Sequence, residues 1–452
     1  MVLVSLAGCR YAHGDFTVDV TRVEGLGTVA SVHWATEEPG NAWIEYGTTR
    51  DLGSSTPLGT EAETDHTVLF AGMPASSTVF WRAFSEVNGE TLTSTQQELE
   101  TGPPPHGTPD VDVHDGADTS LAEAGFTLTT SLNDALVLMY DPEGRLVWWH
   151  ECGEDTVVAQ ARMSFDGRAV IYNTANIDFG TDTSEIVRIA LDGEEMLRLR
   201  MPLGHHDFVE LPDGGYAWLA IDVREWEDEE GVPWDVVGDV VVEADAAGVT
   251  RTVWSTWDAA DAGMMPVTVD TTDDNDIYPQ GLDWTHANSL VYDATDDSYV
   301  VSVHNLSALV HVQRVTGEVD WQLGGDASDF RLASGRPFTR QHSPEFTPTS
   351  LLVFDNGEVE GQDTYSEAIE YSVDFEARTY AEVWHYDAEQ RHSTFLLGDA
   401  DRLDNGNTLV SFGNAGVLAE VSADDELAFE LRLAAGHVFG FSHHVTSLGG
   451  RW

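Results

Sequence analysis

His206, His286 and His342 stand in three separate strand-like contexts: Gly-His-His-Asp-Phe-Val-Glu-Leu-Pro-Asp-Gly, Asp-Trp-Thr-His-Ala-Asn-Ser and Arg-Gln-His-Ser-Pro-Glu-Phe. Each lies close to a turn-and-strand segment. That is the pattern of imidazoles gathered around the mouth of a repeated β structure. An imidazole titrates near neutral pH and serves as nucleophile, acid, base or metal ligand. Singly, each has a structural explanation: His206 orders a turn with Asp207, His286 packs beside Trp284, and His342 is uninformative. His205 adjoins His206, so the upstream position is uncertain by one residue. His304, in Val301-Ser302-Val303-His304-Asn305, adds a further ring.

The elements that must hold these residues are strands. The chain has 452 residues with 14 Trp, 12 Tyr, 18 Phe and 41 Gly, and no long amphipathic helical pattern, so it reads as all-β with two domains. From residue 130 a turn followed by a strand ending in an aromatic recurs, as in Pro142-Glu143-Gly144-Arg145-Leu146-Val147-Trp148 and Thr316-Gly317-Glu318-Val319-Asp320-Trp321. Asp/Asn-Gly hairpins interleave with it, among them Leu211-Pro212-Asp213-Gly214 and Leu403-Asp404-Asn405-Gly406. Repeats roughly 50–70 residues apart, each several strands long, predict a six-bladed β-propeller over 130–452. Insertions at 222–238 and 258–280 interrupt it. Trp226, Trp234 and Trp257 in or beside them could wall a phenol-sized pocket, but blade-edge core is the expectation for most of them. Asp273, Asp274 and Asp276 form an oxygen-rich stretch, a candidate structural Ca²⁺ loop that lacks EF-hand spacing; a solvated acidic loop is the simpler expectation.

Ahead of the propeller, residues 16–101 alternate as a small β-sandwich and resemble a fibronectin type III module, with Trp34 on an early strand and Phe80-Trp81 after a turn. Residues 102–129, opening on Gly-Pro-Pro-Pro, read as a linker. Residues 1–15 are expected to be a partial lipoprotein signal and tether. Leu6-Ala7-Gly8-Cys9 resembles the end of a bacterial lipoprotein signal, in which Cys9 would be lipidated; the apolar stretch before it is short and lacks a basic residue. Cys152 would then have no intrachain partner.

Several ordered motifs carry a further resemblance. Asp283-Trp284-Thr285-His286-Ala287-Asn288-Ser289, Val301-Ser302-Val303-His304-Asn305-Leu306-Ser307, Gly317-Glu318-Val319-Asp320-Trp321, Gln341-His342 and Phe354-Asp355-Asn356-Gly357 occur in that sequence, with His205-His206-Asp207 upstream and Gly398-Asp399-Ala400-Asp401 downstream. The set resembles the bacterial arylsulfotransferase family, periplasmic or lipid-anchored propellers, over residues 130–450. The resemblance implies sulfuryl transfer between phenols without a nucleotide donor or other cofactor. His342 would be the transiently sulfurylated nucleophile. His286 and His206 would be catalytic partners, with Asn288, His304 and His205 at the sulfate group. This chain departs from the family where His304 replaces an arginine. Arg is a permanent bidentate oxyanion clamp and His is not, so Arg340 or Arg336 would have to supply the missing charge.

Net charge is −58 and all 21 basic residues are Arg. Such a field argues against nucleic acid and anionic membranes as partners, leaving membrane contact to a lipid anchor. Three readings follow. The first is transfer from an aryl sulfate to a phenol. The second is a non-catalytic ligand- or protein-binding lipoprotein of the cell envelope, which the arginine-to-histidine change favours. The third is a His-ligated metal enzyme, against which stand the lack of an i, i+2 or i, i+4 His pair and Asn288 as a poor ligand. Self-association stays open.

Overall fold

The computed structural model describes residues 15–153, 156–176, 183–269, 271, 278–357, 365–388 and 391–451. Cys9 and the acidic stretch Asp273, Asp274, Asp276 lie outside them. Strands dominate, and among the described residues six four- or five-stranded sheets form the expected six-bladed propeller. The inner strands carry the chemistry: Ala161–Met163 of blade 2, Gly204–Glu210 of blade 3, Ala287–Asp293 of blade 4, His342–Phe346 of blade 5 and Asp399–Arg402 of blade 6. Blade 1 takes its inner strand from the far end of the chain, where Phe439–Val445 pairs with Phe126–Ser131.

Short Asp-Gly turns make the hairpins. Gly214 adopts φ of 83°, a left-handed conformation that glycine tolerates, while Asp213 Oδ1 accepts the Gly215 N–H. Inter-blade cores are aliphatic and aromatic, with Trp148, Trp218, Trp284, Tyr299 and Phe208 fully buried.

Polar stitches join all six blade junctions. Phe441 N donates to Ala159 O (3.0 Å), Asn173 Nδ2 to His206 O (3.0 Å) and Leu290 N to Asp207 Oδ2 (2.8 Å). Continuing round the ring, Ser343 N donates to Ser289 Oγ (2.9 Å), Arg402 N to Glu345 Oε2 (2.7 Å) and Ser442 N to Asp399 Oδ2 (2.7 Å). Buried backbone groups at the inner strands are thereby satisfied.

The segment expected as linker does more than connect. Val111–Val113 adds a strand to the outer edge of blade 6, and the first strand of blade 1 begins at Phe126. The 222–238 insertion is an ordered extension of the blade 3 hairpin, Tyr216–Glu227 with Pro233–Ala244, and pairs Trp226 with Trp234. Both Trp residues pack on the blade 3–4 core and Trp257 is buried in it, as blade-edge core.

The N-terminal β unit is one continuous sheet folded over its own core of Val32, Trp34, Ile44, Phe70 and Trp81. Its 18-residue strand Ala30–Gly47 pairs with Glu63–Phe70 through its first half and with Thr78–Val87 through its second. Gly450–Arg451, at the end of the chain, adds to Glu63–Phe70.

Candidate active site

One backbone device places the site residues. In blades 3, 4 and 5 the inner strand begins with a β-bulge, between His205 and Phe208, Ala287 and Ser289, and His342 and Glu345. At each bulge a non-glycine residue is left-handed: His206 (φ 49°), His286 (48°) and Ser343 (47°). Such bulges re-aim side chains next to active sites. Here they carry His206, His286 and His342, and His304 joins them from the 3-10 turn His304–Leu306 of blade 4. Ring centroids run His205–His206 5.1 Å, His206–His286 4.9 Å, His286–His304 5.1 Å and His304–His342 5.4 Å.

The hydrogen bonds assign distinct states to these rings. Asn356 Nδ2 donates to the carbonyls of Thr394 (2.7 Å) and Leu397 (2.9 Å), which fixes Oδ1 as the end facing His342 Nδ1 at 2.8 Å. His342 therefore carries its proton on Nδ1 and a lone pair on Nε2. Burial lowers its pKa to about 3, against the pull of that hydrogen bond, so the ring is neutral. Burial also opposes charge on His286. The Asp283 carboxylate, 2.6 Å from Nδ1, outweighs it and raises the pKa above the ordinary value; Asp239 adds to this and Arg340 detracts. Burial and the neighbouring histidines push His206 and His304 well below the ordinary range. Of these four rings, His286 alone is biased toward the cation.

His304, which stands where the family has an arginine, is held by Asn305. Asn305 Oδ1 accepts from Arg340 Nη1 (2.7 Å) and faces His304 Nδ1 (3.0 Å), so the neutral His304 carries its proton on Nδ1 and leaves Nε2 as an acceptor. Arg340 carries a positive charge whose field reaches both His286 and His304. Arg336, the other candidate, is ion-paired with buried Glu367. Asn288 is fully buried, and its Nδ2 donates to Gln341 O (2.8 Å), beside His342; it holds the backbone that carries the nucleophile candidate. His205 stands behind His206, with Nδ1 facing Nδ1 at 2.8 Å. Asp239 and Asp283 were assigned no role from sequence, nor was Asn356. Asp283 and Asn356 sit inside quoted motifs; Asp239 lies mid-strand in another part of blade 3, with no local signal.

A cavity of about 480 Å³ is lined by Asp207, Ser289 and Ser343, sequence neighbours of the site histidines, and by none of those histidines themselves. Among the described residues, the one group whose metal-ligating atoms lie within 4.8 Å of one another is here: Asp399, Asp401 and His443. Its atoms already have partners. Asp399 accepts from Ala400 N and Ser442 N, and His443 faces Asp401 Oδ2 (2.8 Å) and Gln160 Oε1 (2.9 Å). The histidine array forms no such group.

Fold and site together define a six-bladed propeller with a cluster of buried histidines drawn from blades 3, 4 and 5. The chain belongs to the arylsulfotransferase (ASST) family, whose model matches residues 112–434. It is similar to the arylsulfate sulfotransferase AssT of Escherichia coli O6:H1, at 24% identity over 349 residues, covering 61% of this chain and 57% of that protein. The AssT of Lelliottia amnigena is 24% identical over 322 residues, covering 56% and 53%. The chain thus spans little more than half the length of these curated relatives. Among solved structures, a Bacteroides caccae protein of unknown function (12% identity, 71% of this chain, 98% of that one) superposes with a TM-score of 0.44. A streptogramin B lyase (10%, 72% and 98%) does so at 0.38.

Proposed function

We propose that this protein moves a sulfuryl group from an aryl sulfate ester to a phenol, through a sulfurylated His342 and without a nucleotide donor. The observation that carries this reading is the buried, neutral His342, its Nε2 lone pair fixed by Asn356, two rings away from the Asp283-paired His286. In the first half-reaction Nε2 attacks sulfur as the bond from sulfur to the aryl oxygen breaks. His286 gives its Nε2 proton to the departing phenolate. In the second, the acceptor phenol returns a proton to His286 while its oxygen attacks sulfur and the N–S bond breaks. Arg340 and cationic His286 offset the negative charge spread over the sulfuryl oxygens. Family membership and AssT similarity support the same chemistry.

The test is intact-mass analysis after incubation with 4-nitrophenyl sulfate, beside a His342→Ala variant. The expected result is a sulfuryl adduct on the wild type alone. No adduct and no phenol release across several aryl sulfates would favour the binding-protein reading, which the His304 substitution motivates. We further propose a lipid anchor at Cys9 and a place in the cell envelope; metabolic labelling with a fatty acid, lost in Cys9→Ser, is the check.

A further inference from the structure

Asp239 and His205 lie behind the reacting groups, and the steps above do not use them. Asp239, 1% exposed, comes from the third strand of blade 3. Its Oδ2 accepts from Thr285 Oγ1 (2.5 Å) and Ala287 N (2.7 Å). Its Oδ1 lies 3.0 Å from His205 Nε2, an ion-pair distance without good hydrogen-bond alignment. His205 Nδ1 is 2.8 Å from His206 Nδ1. Two ring nitrogens that close share one proton, because two protons clash and none sets lone pair against lone pair. Its position decides what His206 shows the site. With the proton on His206 Nδ1, the neutral ring carries a lone pair on Nε2. With it on His205, that ring is doubly protonated against Asp239, and His206 presents Nε2–H.

Resting on the sulfuryl-transfer reading, we infer that Asp239 and His205 are positioning residues: a buried proton relay that turns His206 into an oxyanion donor when a sulfate group binds. One solvent proton bonds to His206 Nε2. The His206 Nδ1–H bond breaks, and that proton bonds to His205 Nδ1. One proton is taken up in all, and its charge rests on His205 beside the Asp239 carboxylate. His206 is a poor place for that charge, with His286 4.9 Å away. Among the described residues, the groups facing the pair include Asp239, Tyr278 (5.9 Å from both His205 and His286), His286 with Asp283, and beyond them His304, His342 and Arg340. Asp207, the next residue, is turned to Arg162 and the Leu290 N–H.

The test is calorimetric titration with inorganic sulfate, repeated in buffers of different ionisation enthalpy to count protons. About one proton per sulfate is expected for the wild type, with affinity falling about tenfold per pH unit above the transition. His205→Gln, which cannot hold a second ring proton, and Asp239→Asn should take up almost none, and their sulfate affinity should be flat with pH below the His286 transition. Thermal melts identify the folded variants, and His205→Gln decides if Asp239→Asn does not fold. Wild-type sulfate binding without proton uptake, or the same uptake in a folded variant, overturns the relay alone. No sulfate binding by the wild type overturns both the relay and the oxyanion site on which it rests.

Discussion

Replacing Asn356 by Asp separates the charge of the nucleophile from its place in the fold. The wild-type ring has a pKa of about 3 and is 2.8 Å from a neutral acceptor. Asp puts a carboxylate at that position. With charge centres about 4 Å apart and an effective dielectric near 20, the attraction is about 4 kcal/mol, or about 3 pKa units at most. Desolvation of the new carboxylate reduces this, so a rise of about 1–3 units is expected. At pH 5 the neutral, attacking fraction of His342 then falls from about 99% to between roughly 90% and 10%. The assay is single-turnover sulfurylation by 4-nitrophenyl sulfate against pH, read by quenched mass analysis. The wild type should hold its rate down to about pH 4 where His342 alone is concerned, whereas an unperturbed histidine of pKa about 6.5 would already have lost most of its neutral form at pH 5. The Thr394 and Leu397 carbonyls lose donors in the variant, at about 1–3 kcal/mol each, so only the folded fraction is compared. An acid limb that stays in place, or moves down, in folded Asn356→Asp would refute the assignment of His342 as the neutral nucleophile held by Asn356.

Four further outcomes are expected. Asp283→Asn and His286→Gln should slow esters of poorly acidic phenols by about 10²–10⁴-fold and 4-nitrophenyl sulfate much less, since a good leaving group needs no proton; equal losses across a leaving-group series would count against His286 as the acid. His286 has a raised pKa, so its cation is fully present at low pH and is lost as pH rises through that value. With an ester of a poorly acidic phenol, the alkaline limb of single-turnover sulfurylation should therefore lie above the ordinary histidine range and move down in Asp283→Asn. Arg340→Gln should weaken sulfate-ester binding by about 1.5–3 kcal/mol, a KM rise of about 10- to 150-fold, and an unchanged KM would show that its charge does not reach the substrate. Phe441→Ala, removing a buried ring of the closing strand 6.3 Å from His342, should cost about 3–5 kcal/mol in chemical denaturation.

Much of the site was legible because its residues sit at the starts of inner strands, each within a motif. The repeat of Asp-Gly hairpins and aromatic strand ends revealed the blades for the same local reason. Contacts between blades were another matter. Asp239 reaches His205 only after blade 3 has folded back on itself, and no spacing marks it. Asn356 was visible as a motif member, but its hold on His342 depends on two carbonyls about 40 residues further on. The departure at His304 was legible, whereas its polarity was not, because that depends on Arg340 occupying Asn305 Oδ1. Val111–Val113 was hidden in a segment whose prolines and acidic residues read as linker.

The last strands of the chain have a consequence for its birth on the ribosome. Phe439–Val445 closes blade 1, and Gly450–Arg451 completes an edge of the N-terminal sheet. Until those residues emerge, Phe126–Ser131 and Glu63–Phe70 each wait with an unpaired side. A nascent chain halted before residue 439 holds almost all its strands yet neither finished unit, with apolar edges open to other chains. Once residues 439–451 are in place, ring and N-terminal sheet are fastened by the same short stretch, and loosening that stretch exposes both.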